Sequence, residues 1–249
     1  MGNNSEFIKI PGDLRVKIVS CIRGALEDDI TAFRQGTQLV TNNGLPFLKG
    51  DFINTRLQNE MMSADIHVIP FVRYGWESRL VVDRQNKVVY SVISKGRMEF
   101  LMQEGERNSV PHYTMLFAYT FNGDLKASQK QISLFENYPY SDEDMQAGVW
   151  KLIGGQIDFS EGYRYCVVTY EVAEGQLISC DSLILDKDLD VVEKISMTEF
   201  IKPDYSKLTQ EEDNKAGVTG TEVKRVKLKK RPEDATSALV FLREDELEA

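Results

Sequence analysis

Cysteine and histidine are scarce in this sequence, which limits the metal and nucleophile chemistry that it can support. Among 249 residues there are three cysteines, Cys21, Cys166 and Cys180, and two histidines, His67 and His112. The cysteines lack the spacing of a zinc site, and their odd number is typical of free thiols in a reducing compartment. Two histidines exclude a site with several histidine ligands, and neither accompanies a recognisable nucleophile motif. We therefore predict buried, unreactive thiols, no metal site and no cofactor.

Long apolar runs are also absent. A helix that crosses a bilayer needs about 20 consecutive apolar residues, and no run in the sequence approaches this length. Asn3, Asn4 and Ser5 are polar where a signal peptide would be apolar, and Glu6 departs from the N-myristoylation motif. The net charge of −9 makes the average surface repel nucleic acid and anionic lipid. These features predict a cytoplasmic protein that does not bind a membrane.

The first 140 residues contain two kinds of hydrophobic pattern. In some segments apolar residues recur every three or four positions, which is typical of helices packed along one face. In others, β-branched and aromatic residues are concentrated between turn signals, which predicts antiparallel strands. Helices are predicted over residues 13–36, 51–62 and 96–104, a three-stranded meander over residues 66–94, and a hairpin from YTMLFAYTF and SQKQISLF around Asn122, Gly123 and Asp124.

The second half of the chain, residues 141–249, is predicted to be rich in strands. YRYCVVTYEV and QLISCDSLIL flank a Glu-Gly turn and predict a hairpin, and DVVEKISM predicts a further strand. Residues 207–220 are polar and contain glycine, so we expect an exposed loop before the basic segment 224–231. The pattern as a whole predicts an α+β protein, with antiparallel sheets and a few packed helices in two closely packed halves, 1–140 and 141–249.

A metal-dependent nuclease is one interpretation of this pattern. Asp83 ends one predicted strand and Lys95 ends the next, an order that resembles the restriction-endonuclease core. In that family an acidic residue two positions before the lysine helps to bind Mg²⁺, and here this position is Ile93, which cannot coordinate a hard cation. Glu77 or Glu99 would have to replace it. The alternative interpretation is a turn aspartate and a solvated lysine.

Residues Gln131 to Phe135 suggest a different function, because Gln-Ile-Ser-Leu-Phe resembles the peptide that docks on the bacterial DNA polymerase sliding clamp. In such a peptide Leu134 and Phe135 would fill an apolar pocket, and Gln131 would supply a directional hydrogen-bonding amide. Ile132 also fits the pattern. The alternative is that the same residues form the return strand of the predicted hairpin, where a peptide locked in a sheet cannot dock.

Two further features are typical of contact surfaces. Residues 224–231 concentrate six positive charges, which favours weak contact with a phosphate backbone or an acidic partner, or a lysine-protected edge strand. Tyr74 and Trp76 flank Gly75 at a turn, where an aromatic pair either anchors a protein partner or covers the end of a sheet. The six basic residues are Lys224, Arg225, Lys227, Lys229, Lys230 and Arg231.

The segments GDFINTRLQNEM and GWESRLVVDRQNKVVYSVISKGRMEFL resemble an uncharacterised family of bacterial and prophage proteins over about the first half of the chain. The resemblance brings no assigned activity, and it implies a role in bacterial or phage conflict, as a toxin, an antitoxin or an anti-defence factor. We therefore predict a non-catalytic protein that binds a bacterial partner, with the sliding clamp as the candidate. The alternative prediction is a nuclease that uses Asp83, Lys95 and Glu99.

Overall fold

Within the residues that the structure describes, six strands form one sheet, and their order across the sheet is their order in the chain. The structure is a computed structural model that describes residues 10–37, 40–41, 43–104, 111–127 and 141–201. All neighbouring strands are antiparallel except β3 and β4, which are parallel. The strands are β1 Ile66–Arg73, β2 Trp76–Asp83, β3 Val88–Ser94, β4 Arg164–Ala173, β5 Gln176–Leu185 and β6 Val191–Ser196.

Helices cover both faces of this sheet. Ile18 and Leu57, from the helices that precede β1, lie in one hydrophobic cluster with Val168 of β4. Phe117, from the connection between β3 and β4, lies in a second cluster with Val167. The helices are α1 Gly12–Arg23, α2 Ile30–Gly36, α3 Leu45–Glu60, α4 Lys95–Glu104, α5 Tyr113–Asn122 and α6 Asp142–Ile153, and the π-helical segment Gly24–Asp29 joins α1 to α2.

The alternation of side chains along β4 shows why the sheet needs helices on both sides. Tyr165 and Val167 point into the cluster that contains α5 and α6, whereas Cys166 and Val168 point into the cluster that contains α1 and α3. All four side chains are fully buried. Successive residues of a strand point to opposite faces, so a strand that is apolar at every position must be covered twice.

The α+β fold class predicted from the sequence is confirmed. The three-stranded meander, the helix at 96–104 and the hairpin of β4 and β5 lie where the hydrophobic pattern predicts them. The second predicted helix begins earlier than expected, at Leu45, because Pro46 occupies the first turn, where its missing N–H costs no hydrogen bond. The predicted halves 1–140 and 141–249 share one sheet, since β3 of the first pairs with β4 of the second.

One predicted strand is wrong, because YTMLFAYTF forms helix α5. A continuous apolar run does not distinguish a buried strand from a buried helix. Here Phe117 contacts Phe71 of β1 on the sheet, with ring centroids 5.8 Å apart, while Leu116 packs against Gly148 of α6. A Cβ atom at Gly148 would lie 2.9 Å from the Leu116 side chain. The helix is therefore buried between the sheet and α6, which explains its apolar character around most of its surface.

Helix α6 was not predicted from the pattern of residues 141–153. Its start is a capping box, in which the Ser141 hydroxyl accepts a hydrogen bond from the Asp144 backbone N–H and the Asp144 carboxylate accepts one from the Ser141 N–H. Met145 and Val149 then lie one helical turn apart on the buried face. The acidic first turn resembles a linker in composition, but it stabilises the positive end of the helix dipole.

Asn122 joins the end of α5 to the sheet. Its side-chain amide donates hydrogen bonds to the carbonyl oxygens of Tyr165 and Leu185, each at 2.8 Å, and its side-chain oxygen accepts one from the Tyr165 N–H at 3.0 Å. Asn122 is fully buried, so water cannot replace these bonds. The residue expected to make a hairpin turn instead supplies the polar contacts between a helix end and two strands.

We expect Asn122→Ala to destabilise the fold by about 3 kcal/mol, because it leaves buried backbone groups of β4 and β5 without partners. Urea unfolding at neutral pH measures this change. The matched control is Asn59→Ala on the exposed face of α3, for which the expected change is below about 0.5 kcal/mol. Equal stability of the two variants would show that the Asn122 contacts do not stabilise the sheet.

Candidate functional site

The structure separates Asp83 from Lys95, two of the residues of the nuclease interpretation. Asp83 lies opposite Val88, the first residue of β3, whereas Lys95 follows Ser94, the last residue of that strand. A strand rises about 3.3 Å per residue, so Asp83 and Lys95 are about 20 Å apart. The Asp83 carboxylate accepts hydrogen bonds from the backbone N–H and the side-chain amide of Asn86, at 2.9 and 2.7 Å. Asp83 therefore holds the turn between β2 and β3.

Lys95 forms an ion pair between the end of β3 and the neighbouring strand β4. Its ammonium nitrogen lies 2.7 Å from the Glu171 carboxylate, which also accepts a hydrogen bond from the Ser179 hydroxyl at 3.3 Å. Glu171 raises the pKa of Lys95, and the charge of Glu99 adds to this effect, while Lys95 lowers the pKa of Glu171. No group of three or more His, Cys, Asp or Glu residues is placed to hold a metal ion in the part of the chain that the structure describes.

The three cysteine thiols are buried, as the sequence predicts. Burial raises the pKa of Cys180 to about 12, and burial together with the nearby Glu60 carboxylate raises the pKa of Cys21 to about 12. Burial also raises the pKa of Cys166. A thiol becomes a nucleophile only as the thiolate, so these cysteines are protonated and unreactive at neutral pH.

The two histidines occupy structural positions. His67 lies in β1 opposite Val82, half-buried in the sheet. His112 caps the start of α5, where its Nδ1 atom accepts a hydrogen bond from the Thr114 backbone N–H at 3.2 Å. Burial, together with the positive charges of Arg73 and Arg97, lowers the pKa of His112 to about 3. The neutral ring is therefore the form that caps the helix.

Two predicted contact segments lie outside the described residues. These are the clamp-like peptide, which comprises Gln131, Ile132, Leu134 and Phe135, and the basic segment 224–231. Their predicted roles stay predictions.

An exposed aromatic pair lies at the hairpin of β1 and β2. Phe47 stacks on Trp76 with ring centroids 5.3 Å apart and an interplanar angle of 29°, yet more than half of each side chain remains exposed. Val72 and Tyr74, which shortly precede Trp76 in the sequence, are also exposed. We call Phe47, Val72, Tyr74 and Trp76 the hairpin surface. The sequence predicts Tyr74 and Trp76 as a candidate contact pair at a turn. No local pattern connects this pair to Phe47, which is 29 positions from Trp76.

The turn that carries the hairpin surface is tightly defined. Tyr74 and Gly75 have φ angles of 49° and 80°, as in the two-residue turns that match the twist of antiparallel strands. The Arg73 guanidinium lies 4.9 Å from the centre of the Tyr74 ring and donates a hydrogen bond to the Pro111 carbonyl oxygen at 2.9 Å. Arg73 therefore links the Tyr74 ring to the backbone at Pro111.

A polar cleft of about 240 Å³ lies between α3 and β2. Its lining combines carboxylates, carboxamides and one guanidinium, and it is open to solvent. We call it the α3–β2 groove. The lining residues are Asp51, Asn54, Thr55, Gln58, Asn59, Glu77 and Arg79.

The fold and this surface together define an α+β protein with helices on both faces of a mixed sheet and an exposed aromatic hairpin. The chain belongs to the family of unknown function DUF5986, whose model matches residues 8–240. The predicted membership of an uncharacterised family is thereby confirmed, and the match extends well beyond the first half. No curated protein and no solved structure matches the chain. None of the described helices is both long enough and apolar enough to span a membrane.

The buried cap at His112 predicts that the fold loses stability in mild acid. The pKa of His112 is about 3 in the folded chain and about 6.5 in an unfolded one. Between these values the unfolded state binds a proton that the folded state does not, so stability decreases as the pH falls below 6.5. Urea unfolding should show a loss of about 2 kcal/mol from this residue between pH 8 and pH 5.

The control for this prediction is His112→Asn, which keeps a side-chain cap for α5 but cannot titrate in this range. Its stability should decrease less than that of the wild type over the same pH interval, by the amount that His112 contributes. The same pH dependence in both proteins would contradict the assignment of His112 as a neutral cap.

Proposed function

We propose that this chain is a protein-interaction protein that binds its partner through the hairpin surface. The observation that carries the proposal is the exposed Phe47–Trp76 stack, at a hairpin whose turn also exposes Tyr74. Aromatic side chains dominate binding energy at protein interfaces, and burying one fully contributes about 2 kcal/mol. An exposed aromatic pair on a protein with a net charge of −9 is typical of a contact site.

The preorganisation of the hairpin supports this function. Immobilising a side chain on binding costs about 0.5 to 1.5 kcal/mol, and here part of that cost is met before association. Arg73 holds the Tyr74 ring, and Phe47 holds the Trp76 ring. A surface that only covered the end of the sheet would leave its aromatic rings more buried than these, since 59% of Trp76 and 69% of Tyr74 are exposed.

The candidate partner remains the bacterial sliding clamp, on the strength of the resemblance of Gln131–Phe135 to clamp-binding peptides. A role in bacterial or phage conflict is consistent with a protein that competes for such a partner. The hairpin surface is proposed as a second contact site, separate from Gln131–Phe135. This second site would serve equally well if the partner were another protein. The nuclease alternative gains no support from the described residues, because Asp83 and Lys95 are far apart and Lys95 is paired with Glu171.

We expect Trp76→Ser to reduce partner recovery from a bacterial lysate by at least about tenfold, because it removes the central anchor of the hairpin surface. Recovery is measured by quantitative mass spectrometry on immobilised protein. The matched control is Trp150→Ser, since 59% of Trp150 is also exposed, on helix α6. Circular dichroism confirms that both variants are folded.

Two outcomes would contradict the proposed surface. The first is a set of proteins recovered equally by the wild type and Trp76→Ser. The second is an equal loss of recovered proteins in Trp76→Ser and Trp150→Ser, which would indicate general surface adhesion instead of a specific site.

The clamp assignment has its own test with purified sliding clamp. We expect the wild type to bind and the double variant Leu134→Ala/Phe135→Ala to lose binding by more than about tenfold, because both apolar anchors are removed. A control with Ser133→Ala leaves these anchors in place and should bind as the wild type does. Binding that is unchanged in the double variant would show that this peptide is not the clamp contact.

A further inference from the structure

Helix α3 contacts strand β2 at two places near the α3–β2 groove, toward opposite ends of the helix. At one end Phe47 stacks on Trp76 at 5.3 Å, and at the other the Arg79 Nε donates a hydrogen bond to the Gln58 side-chain oxygen at 3.1 Å. Phe47, Asp51 and Gln58 share one face of α3, because their spacing of four and seven positions matches the helical repeat. Phe47 therefore lies one helical turn from Asp51, a lining residue of the groove, so the hairpin surface adjoins the groove.

The groove and the adjoining Phe47–Trp76 stack together have a length that fits a short extended peptide. Phe47 and Gln58 are eleven positions apart on a helix, which corresponds to about 16 Å. An extended chain covers this distance with about five residues.

The charge of the groove favours a cation. Asp51 and Glu77 contribute two carboxylates, and among the described residues Asp51 makes no side-chain hydrogen bond or ion pair. Arg79 contributes one positive charge, but its guanidinium is already engaged by Gln58, by the Ser78 carbonyl oxygen at 3.1 Å and by Glu77 at 3.8 Å. The charge left available to a ligand is therefore the negative charge of Asp51 and part of that of Glu77.

The carboxamides of the groove match the hydrogen-bonding groups of a peptide backbone. Asn54 and Asn59 line the groove, and a carboxamide offers both donors and an acceptor. Within the described ranges neither side chain has a hydrogen-bond partner, so both are available to a ligand. A peptide N–H and C=O require this same combination of acceptor and donor.

We propose that the α3–β2 groove binds an extended segment of the partner in which a lysine or arginine lies next to an aromatic or aliphatic residue. The apolar residue contacts the Phe47–Trp76 stack, and the basic side chain binds between Asp51 and Glu77. This inference rests on the proposed function of the hairpin surface and adds the chemistry of the partner. A nucleic acid ligand does not fit, because its phosphates would face the two carboxylates.

The test uses a library of random peptides displayed on phage and selected on the full-length protein. We expect the selected peptides to be enriched in Lys or Arg next to an aromatic or aliphatic residue. A selected peptide is then synthesised, and its binding is measured by fluorescence anisotropy. The variant Asp51→Asn/Glu77→Gln should bind it at least about tenfold more weakly, and the loss should be smaller in high salt.

The matched control is Asp13→Asn/Glu143→Gln, which removes the same charge from exposed helix starts away from the groove. This control should bind within about twofold of the wild type. Replacing the basic residue of the peptide by glutamine should weaken binding to the wild type but not to Asp51→Asn/Glu77→Gln, because the interaction is then already absent.

The outcomes distinguish this inference from the proposed function. Peptide binding that is lost in Trp76→Ser but unchanged in Asp51→Asn/Glu77→Gln would leave the hairpin surface as a protein contact and overturn the basic-residue specificity. Selection of peptides without basic enrichment, or of no peptides at all, would also overturn it. Loss of lysate partners in Trp76→Ser tests the proposed function separately, whatever the peptide experiment shows.

Discussion

The parallel pairing of β3 with β4 is the constraint on which the rest of this structure depends. Two antiparallel meanders, β1 to β3 and β4 to β6, become one sheet through this pair. Parallel neighbours cannot be joined by a tight turn, so the chain must leave the sheet and return along its face. That return places α4, α5 and α6 on one face, while the helices that precede β1 cover the other.

Buried polar side chains hold this crossover in register. Asn122 bonds the end of α5 to the backbone of β4 and β5. Asp186, buried at the end of β5, accepts hydrogen bonds from the backbone N–H groups of Ala127, Asp188 and Asp190. At the surface beside these buried groups, Arg164 at the start of β4 is paired with the exposed Asp124 and so lowers the pKa of that carboxyl. Satisfied polar groups of this kind specify one arrangement, because any slip leaves them buried without partners.

The sequence predicts those parts of the fold that are determined by local pattern. Strands β1 to β3 are found because Gly75 and the Asp83 turn separate runs of β-branched residues, and both turns depend only on neighbours in the chain. Helix α5 is missed because its burial on several sides comes from Phe71 and Gly148, which are distant in sequence. The same limit applies to the candidate site. Tyr74 and Trp76 are visible as a turn pair, whereas the Phe47 stack exists only in the folded chain.

The position of the hairpin surface also determines how a partner can engage it. Among the six described strands, β1 lies at one edge of the sheet, and an unprotected edge invites another strand to pair with it. Pro70 is exposed within β1, and proline has no N–H to donate, so continuous strand addition along this edge is disfavoured. The exposed aromatic side chains next to the turn offer a different mode of binding, through side chains instead of backbone hydrogen bonds. Under the proposed function, recognition at this end of the molecule would therefore depend on side-chain contacts, and its specificity would depend on the aromatic stack and the carboxylates of the adjoining groove.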